Sequence, residues 1–183
     1  VNLLSSADTG HMITALRQLG VEIKEETANA TVVGNAGLFS KPENKSFFLG
    51  NAGTAIRPLT AMLNMIPGRF IVDGDEYMRE RPIAHLGDAL TQLGASIQYL
   101  NEDGFPPIAF EGGHIEGGEV NIAGHISSQY LTALLLSLPL AEKDSTIKVI
   151  GEQVSKPYLD ITLGIMRSFG VTVENDQYQK FLV

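Results

Sequence analysis

The sequence predicts a mixed α/β (α+β) fold assembled from copies of one β-α-β-α-β-β unit. Three observations predict it: a helix–glycine–strand pattern that recurs three times, a second helix pattern that recurs twice between those copies, and short apolar runs that separate them.

The first pattern occupies His11 to Ile23, His85 to Ile97 and Asp160 to Val173. In each copy apolar residues recur at helical spacing, as with Met12, Leu16 and Leu19 or Leu86, Leu90 and Leu93. Gly20, Gly94 and Gly170 follow where a left-handed cap residue belongs. The three glycines are 74 and 76 residues apart, too far for a short solenoid repeat and suited to a supersecondary unit repeated inside one domain. The second pattern predicts helices over Thr54 to Met65 and Ser127 to Leu138, which share Leu-Thr-Ala at 59–61 and 131–133. Pro58 lacks an N–H and belongs in a first turn, which puts the start of the former near Ala55. Strands are predicted at 47–49, 69–72, 96–100, 108–110, 119–122, 146–150, 171–174 and 180–183, and after Gly20. On this reading residue 1 falls inside a first unit, before its second helix, and residues 1–183 form a single domain that is part of something larger.

Composition narrows the function. The chain has 183 residues and no cysteine, which removes disulfides, thiolate catalysis and zinc–thiolate sites and suits a reducing compartment. A net charge of −8 argues against general nucleic-acid binding, which needs many cations. No apolar run is long enough to cross a bilayer. A small anion needs only a local positive patch, and Arg57, Arg79 and Arg81 lie within one stretch. No histidine or acidic grouping has metal-ligand spacing, so no metal is expected. The nucleophile-elbow, P-loop and dinucleotide patterns are missing. His11 and His85 hold equivalent places and read as packing or capping residues, while His114 and His125 lie in glycine-bearing turns and read as exposed.

Aligning the units also aligns their loops. Asn51-Ala52-Gly53-Thr54 and Ser127-Ser128-Gln129 each follow a strand and open a helix, so free N–H groups and the positive helix end face outward there. Before the other helices stand Ser5 to Asp8, Arg79 to Pro82 and Ser155 to Tyr158. If the units are equivalent, one face collects Thr54, Arg81, Ser127, Ser128, Gln129, Ser155 and Tyr158. Hydroxyls, an amide and an arginine suit a polyhydroxylated ring bearing phosphate and carboxylate. Simple capping would explain the Gly53-Thr54 and Ser127-Ser128 turns equally well, and a self-paired charge run would explain Arg79-Glu80-Arg81.

These same residues carry a family resemblance. Leu49 to Leu59, with Gly50-Asn51-Ala52-Gly53-Thr54 and Arg57-Pro58, resembles the signature of the 5-enolpyruvylshikimate-3-phosphate synthases. The blocks 73–83, 127–134 and 154–161 are similar to the family's later blocks, in order. The resemblance implies one lobe of a two-lobed enolpyruvyl transferase: three βαβαββ units in pseudo-threefold array, helices inside and sheets outside, the first unit truncated. It implies transfer of the enolpyruvyl group of phosphoenolpyruvate to the 5-hydroxyl of shikimate 3-phosphate, releasing phosphate, without cofactor. By position, Ser127, Ser128, Gln129, Ser155, Tyr158 and Thr54 would hold shikimate 3-phosphate. Gly53, Arg81, Gln129 and Asn51 would hold phosphoenolpyruvate or the inhibitor glyphosate, with Pro58 acting through the same turn. Catalytic acid/base residues are expected in a second lobe, so the chain alone is expected to be inactive, monomeric and cytoplasmic. A UDP-sugar enolpyruvyl transferase lobe, a non-catalytic anion-binding module and a purely structural interaction domain remain open alternatives.

Overall fold

Each of the three glycines ends a helix as the pattern requires. The computed structural model describes residues 3–35, 37, 39 and 45–183. Its elements are α1 (Ala7–Gln18), β1 (Glu22–Glu26), β2 (Asn29–Val33), β3 (Lys45–Phe48), α2 (Gly53–Asn64), β4 (Gly68–Asp73), α3 (Ala84–Gln92), β5 (Ile97–Tyr99), β6 (Ile108–Gly112), β7 (Glu119–Ala123), α4 (Ser128–Ser137), β8 (Thr146–Ile150), α5 (Lys156–Ser168), β9 (Glu174–Asp176) and β10 (Lys180–Leu182), with 3-10 turns at Met78–Glu80 and Leu138–Leu140. Gly20, Gly94 and Gly170 have φ of 86°, 103° and 84°. In all three, the glycine N–H and the next N–H reach back to the last helical turn: Gly20 to Arg17 and Val21 to Leu16, Gly94 to Thr91 and Ala95 to Leu90, Gly170 to Arg167 and Val171 to Met166. That double bond is a Schellman cap, and it needs a residue without a Cβ penalty at the glycine.

Topology repeats as well. One sheet has the order β3-β4-β6-β5 and another β7-β8-β10-β9, each with its first pair parallel and the others antiparallel. The parallel pairs β3–β4 and β7–β8 are joined through α2 and α4. β1 and β2 form a two-stranded antiparallel ladder, the counterpart of β5–β6 and β9–β10. Alternation gives each sheet one inner face: Phe47, Phe70, Val72, Val120, Ile122 and Ile147 are buried, whereas Phe48 and Ile71 face out. Phe47, Phe70 and Phe110 stack in series at 6.2 and 5.8 Å between ring centres. Against these faces lie α2 and α4, which pack on each other and are buried around most of their circumference. Helices α2 and α4 are inside and the sheets outside, as the family resemblance implies.

The structure departs from the sequence reading at several places. α2 begins at Gly53, so Pro58 stands inside the helix and not in its first turn; the Thr54 carbonyl thereby loses the N–H that position 58 would have supplied. α5 begins at Lys156 with Pro157 in its first turn, so residues 156–158 are helix and not loop. Ala7 and Asp8 likewise open α1, behind a Ser6 cap that forms a capping box with Thr9. β2 falls on a run that no sequence pattern singles out, although the β-α-β-α-β-β unit calls for a second strand there. The last hairpin pairs 174–176 with 180–182, not 171–174, across the three-residue turn 177–179, in which Gln177 and Tyr178 have φ of 50° and 59°. On α5, Ile161, Ile165 and Phe169 form an exposed apolar stripe.

Candidate active site

The first turns of three helices line one cavity of about 470 Å³. Its walls are Gly53, Thr54 and Pro58 of α2, Ser127, Ser128, Gln129 and Thr132 of α4 and its cap, and Ser155, Tyr158, Ile161 and Thr162 of α5 and its cap. Six of the seven residues that the aligned loops gathered on one face thus meet here, together with Gly53 of the same turn. No carboxylate lines it. A larger groove, about 560 Å³, lies over the β3-β4-β6-β5 sheet among Lys45, Arg69, Ile71, Glu111 and His114, and contains none of the aligned loop residues.

Local backbone explains each placement. The cap of α2 is Ala52, which has no side-chain oxygen to satisfy the first-turn N–H groups. The Gly53 and Ala55 N–H groups turn to the Asn51 and Ala52 carbonyls instead, at 3.1 and 3.0 Å, and the positive end of the helix points to the cavity. The cap of α4 is Ser127, whose Oγ accepts from Gln129 N–H at 3.2 Å while its own hydroxyl proton stays available. Ser155 sits in the left-handed region, φ 56° and ψ 38°, and makes no capping bond. A serine held there stores about 1–2 kcal/mol of strain, and its side chain lines the cavity. Thr132 and Thr162 hydroxyls lie 3.3 Å apart on the cavity floor.

Arg81 and Asn51, also predicted, do not line the cavity but stand at its edge. The Arg81 guanidinium donates to both the Asn51 carbonyl and its Oδ1, at 3.0 and 2.9 Å. It reaches the cavity through Gly53: a Cβ on that glycine would lie 2.5 Å from Arg81 Nη2 and 2.6 Å from Arg57 Nη1. Two guanidinium groups therefore flank one glycine at the start of α2. Arg57 is only 5% exposed. Burial pulls its pKa below the usual range; Tyr130 offsets part of that by charge and hydrogen bonding, and the Arg81 charge adds to the lowering. Arg79 is not paired within its own run: it forks on to Asp73 at 3.0 and 2.5 Å.

The sequence reading passed over Asp8. Its Oδ2 accepts from the Thr54 hydroxyl at 2.6 Å, tying α1 to the mouth of α2. The loop containing Asp8 was aligned with the others, but only contact with a residue 46 positions away distinguishes it. His11 and His85 pack, as expected, on Phe48 and Tyr130, at 6.2 and 5.7 Å. His114 and His125 are exposed. Among the described residues no helix is long and apolar enough to cross a membrane, and no three His, Asp or Glu side chains gather as a metal site requires.

The family model for EPSP synthase (3-phosphoshikimate 1-carboxyvinyltransferase) matches residues 1–183. The chain belongs to the EPSP synthase family. Among curated members it is 52% identical over 184 residues to the 3-phosphoshikimate 1-carboxyvinyltransferase of Sulfurovum sp. (strain NBC37-1), and 54% identical over 187 residues to that of Haemophilus influenzae (strain PittEE). Each match covers all of this chain and 43% of the relative, so the chain spans less than half the length of those EPSP synthases. The EPSP synthase of Acinetobacter baumannii superposes with a TM-score of 0.85 at 25% identity, over 99% of this chain and 40% of that one. The mixed α/β architecture is thus that of an EPSP synthase.

Proposed function

We propose that the chain is one lobe of a two-lobed enolpyruvyl transferase and carries much of the binding surface for shikimate 3-phosphate and phosphoenolpyruvate. The observation that carries the reading is the cavity: Thr54, Ser127, Ser128, Gln129, Ser155 and Tyr158 converge there from three helices of two successive units. Their hydroxyls and amide suit a ring bearing several hydroxyls and a phosphate. Tyr158, 67% exposed, presents a ring face beside it. Arg81 and the uncapped start of α2 at Gly53 suit the second anion, with Gln129 between the two and Asn51 holding Arg81.

In this reading the lobe binds and orients. Two anions are brought together by dipoles and guanidiniums already in place, so the charge is neutralised without solvent reorganisation. Among the described residues, the carboxylate that touches the constellation, Asp8, is occupied by Thr54. The acid/base groups come from a second lobe, the reaction needs no cofactor, and the lone chain releases no phosphate. The exposed stripe on α5 supports a longer lobe: α3 packs on β7, the first strand of the following unit, and α5 awaits an equivalent neighbour. The reading includes a cytoplasmic, monomeric protein that does not bind nucleic acid.

Titration calorimetry with shikimate 3-phosphate tests it. The chain should bind, and the double substitution Ser127→Ala with Ser128→Ala should weaken binding by about tenfold or more, two neutral hydrogen bonds contributing about 1 kcal/mol each. A folded chain with no heat of binding at millimolar ligand defeats the proposal.

A further inference from the structure

Arg57 is the one buried arginine in the core, and nothing in the proposed binding scheme uses it. Its fork is spent on two carbonyls from different segments. Nη1 donates to Gly53 O at 3.4 Å and Nη2 to Pro82 O at 3.2 Å. The Pro82 carbonyl takes a second donor, the Tyr130 hydroxyl, at 2.8 Å. Tyr130 also lies under the Arg57 guanidinium, 5.2 Å from ring centre to Cζ. Nε has no partner, and no carboxylate pairs with Arg57 among the described residues. Burying a cation against carbonyls and a ring, without a counter-ion, costs stability. Such a cost is retained where the charge or its geometry is needed.

We propose that Arg57 and Tyr130 are a positioning couple that pins the Pro82 carbonyl between α2 and α4 and thereby holds Arg81 over Gly53. The inference rests on the proposed anion site and adds to it the residues that fix its arginine. Three segments distant in sequence meet at one carbonyl: α2 through Arg57, α4 through Tyr130, and the connection into α3 through Pro82. Arg81 is the residue immediately before that carbonyl, so its Cα is fixed from behind, while Asn51 holds its guanidinium from the front. Lysine could not replace Arg57. An ammonium lacks the planar fork that spans two carbonyls while lying flat on a ring. The couple also keeps a second positive charge behind Gly53 that no protein anion quenches.

The test uses two mild variants, Tyr130→Phe and Arg57→Lys. Tyr130→Phe keeps the ring beneath Arg57 and removes the hydroxyl with its bonding to Pro82 and to Arg57; Arg57→Lys keeps the charge and removes the fork. Phenylglyoxal modification, read at each arginine by mass spectrometry, reports how firmly Arg81 is held, with exposed Arg69 and Arg167 as internal standards. In both variants, with circular dichroism unchanged, Arg81 should react about five-fold faster relative to the standards, the factor expected from one lost hydrogen bond. Calorimetry should show phosphoenolpyruvate affinity lowered by a similar factor and shikimate 3-phosphate affinity unchanged within two-fold. An unchanged Arg81 rate in folded Tyr130→Phe overturns the inference, as does an equal loss of both ligands, which marks a general loosening. If the unsubstituted chain binds neither ligand, the proposed function fails, and the modification rates still decide whether the couple positions Arg81.

Discussion

Replacing Gly53 by alanine separates the stability of α2 from the chemistry at its mouth. The glycine is helical and is not among the residues with positive φ, so alanine fits the backbone without strain. The new methyl meets only side-chain ends: Arg81 Nη2 at 2.5 Å, Arg57 Nη1 at 2.6 Å and Arg81 Cζ at 3.0 Å. Ordinary contact needs about 3.5 Å, so each guanidinium must withdraw by roughly 1 Å. Arg81 is half-buried and can swing, at the expense of its two bonds to Asn51. Arg57 is enclosed and has less room. For stability, up to about 1 kcal/mol of helix propensity is gained and about 1–2 kcal/mol of hydrogen bonding is lost. The melting temperature should therefore move by no more than about 4 °C. For the anion the effects do not cancel. A displaced guanidinium forfeits a charge-assisted bond of about 1.5–3 kcal/mol, or a ten- to hundred-fold loss of phosphoenolpyruvate affinity. Calorimetry with that ligand and scanning fluorimetry on the same samples would measure both. Undiminished phosphoenolpyruvate affinity would refute the placement of the anion at Gly53. A fall in melting temperature well beyond 4 °C would refute the claim that only mobile side-chain ends are displaced.

Ser155→Gly should raise the melting temperature by a few degrees, since glycine adopts φ 56° without the roughly 1 kcal/mol penalty of a side chain, and should weaken shikimate 3-phosphate binding by removing a hydroxyl from the cavity; thermal melts and calorimetry on one preparation check both. Asp73→Asn should lower stability at pH 7 by about 1 kcal/mol. Burial pushes the Asp73 carboxyl up, but the Arg79 fork, the Gly74 N–H and the Arg79 charge together outweigh it and hold the group below its ordinary value. The bond therefore contributes fully above the unfolded value near pH 4 and is lost as pH falls through the folded one. Urea unfolding should show the two proteins differing at pH 7 and converging as pH falls through the folded value of Asp73; a difference independent of pH would assign the effect to shape rather than charge.

Much of this was legible because the same local chemistry is written three times. Gly20, Gly94 and Gly170 each demanded a left-handed cap, and that fixed helix ends, strand starts and the loop alignment from which the cavity residues were read. What stayed illegible depends on long-range contact. Residues 29–33 have no alternating pattern, and Val32 and Val33 face solvent, so β2 exists only through its ladder with β1. Pro58 favours a helix start by its own geometry, yet packing of α2 against α4 carries the helix two residues further back. Arg57, Pro82 and Tyr130 span more than seventy positions, and no spacing rule brings a guanidinium, a carbonyl and a phenol together. Asp8 and Thr54 are the same case on a smaller scale.

The meeting of helix beginnings at one cavity sets this molecule against its own net charge of −8. Seen from beyond a Debye length, about 8 Å at physiological ionic strength, the surface repels a phosphate ester. Within that distance the aligned peptide dipoles and two guanidiniums reverse the sign of the field. A ligand approaching in dilute buffer must therefore cross an electrostatic rise before it descends, and moderate salt flattens the rise more than the well behind it. If the cavity takes the anions proposed for it, capture is selective by range: solvated anions passing at a distance are turned away, and those already at the mouth are drawn in.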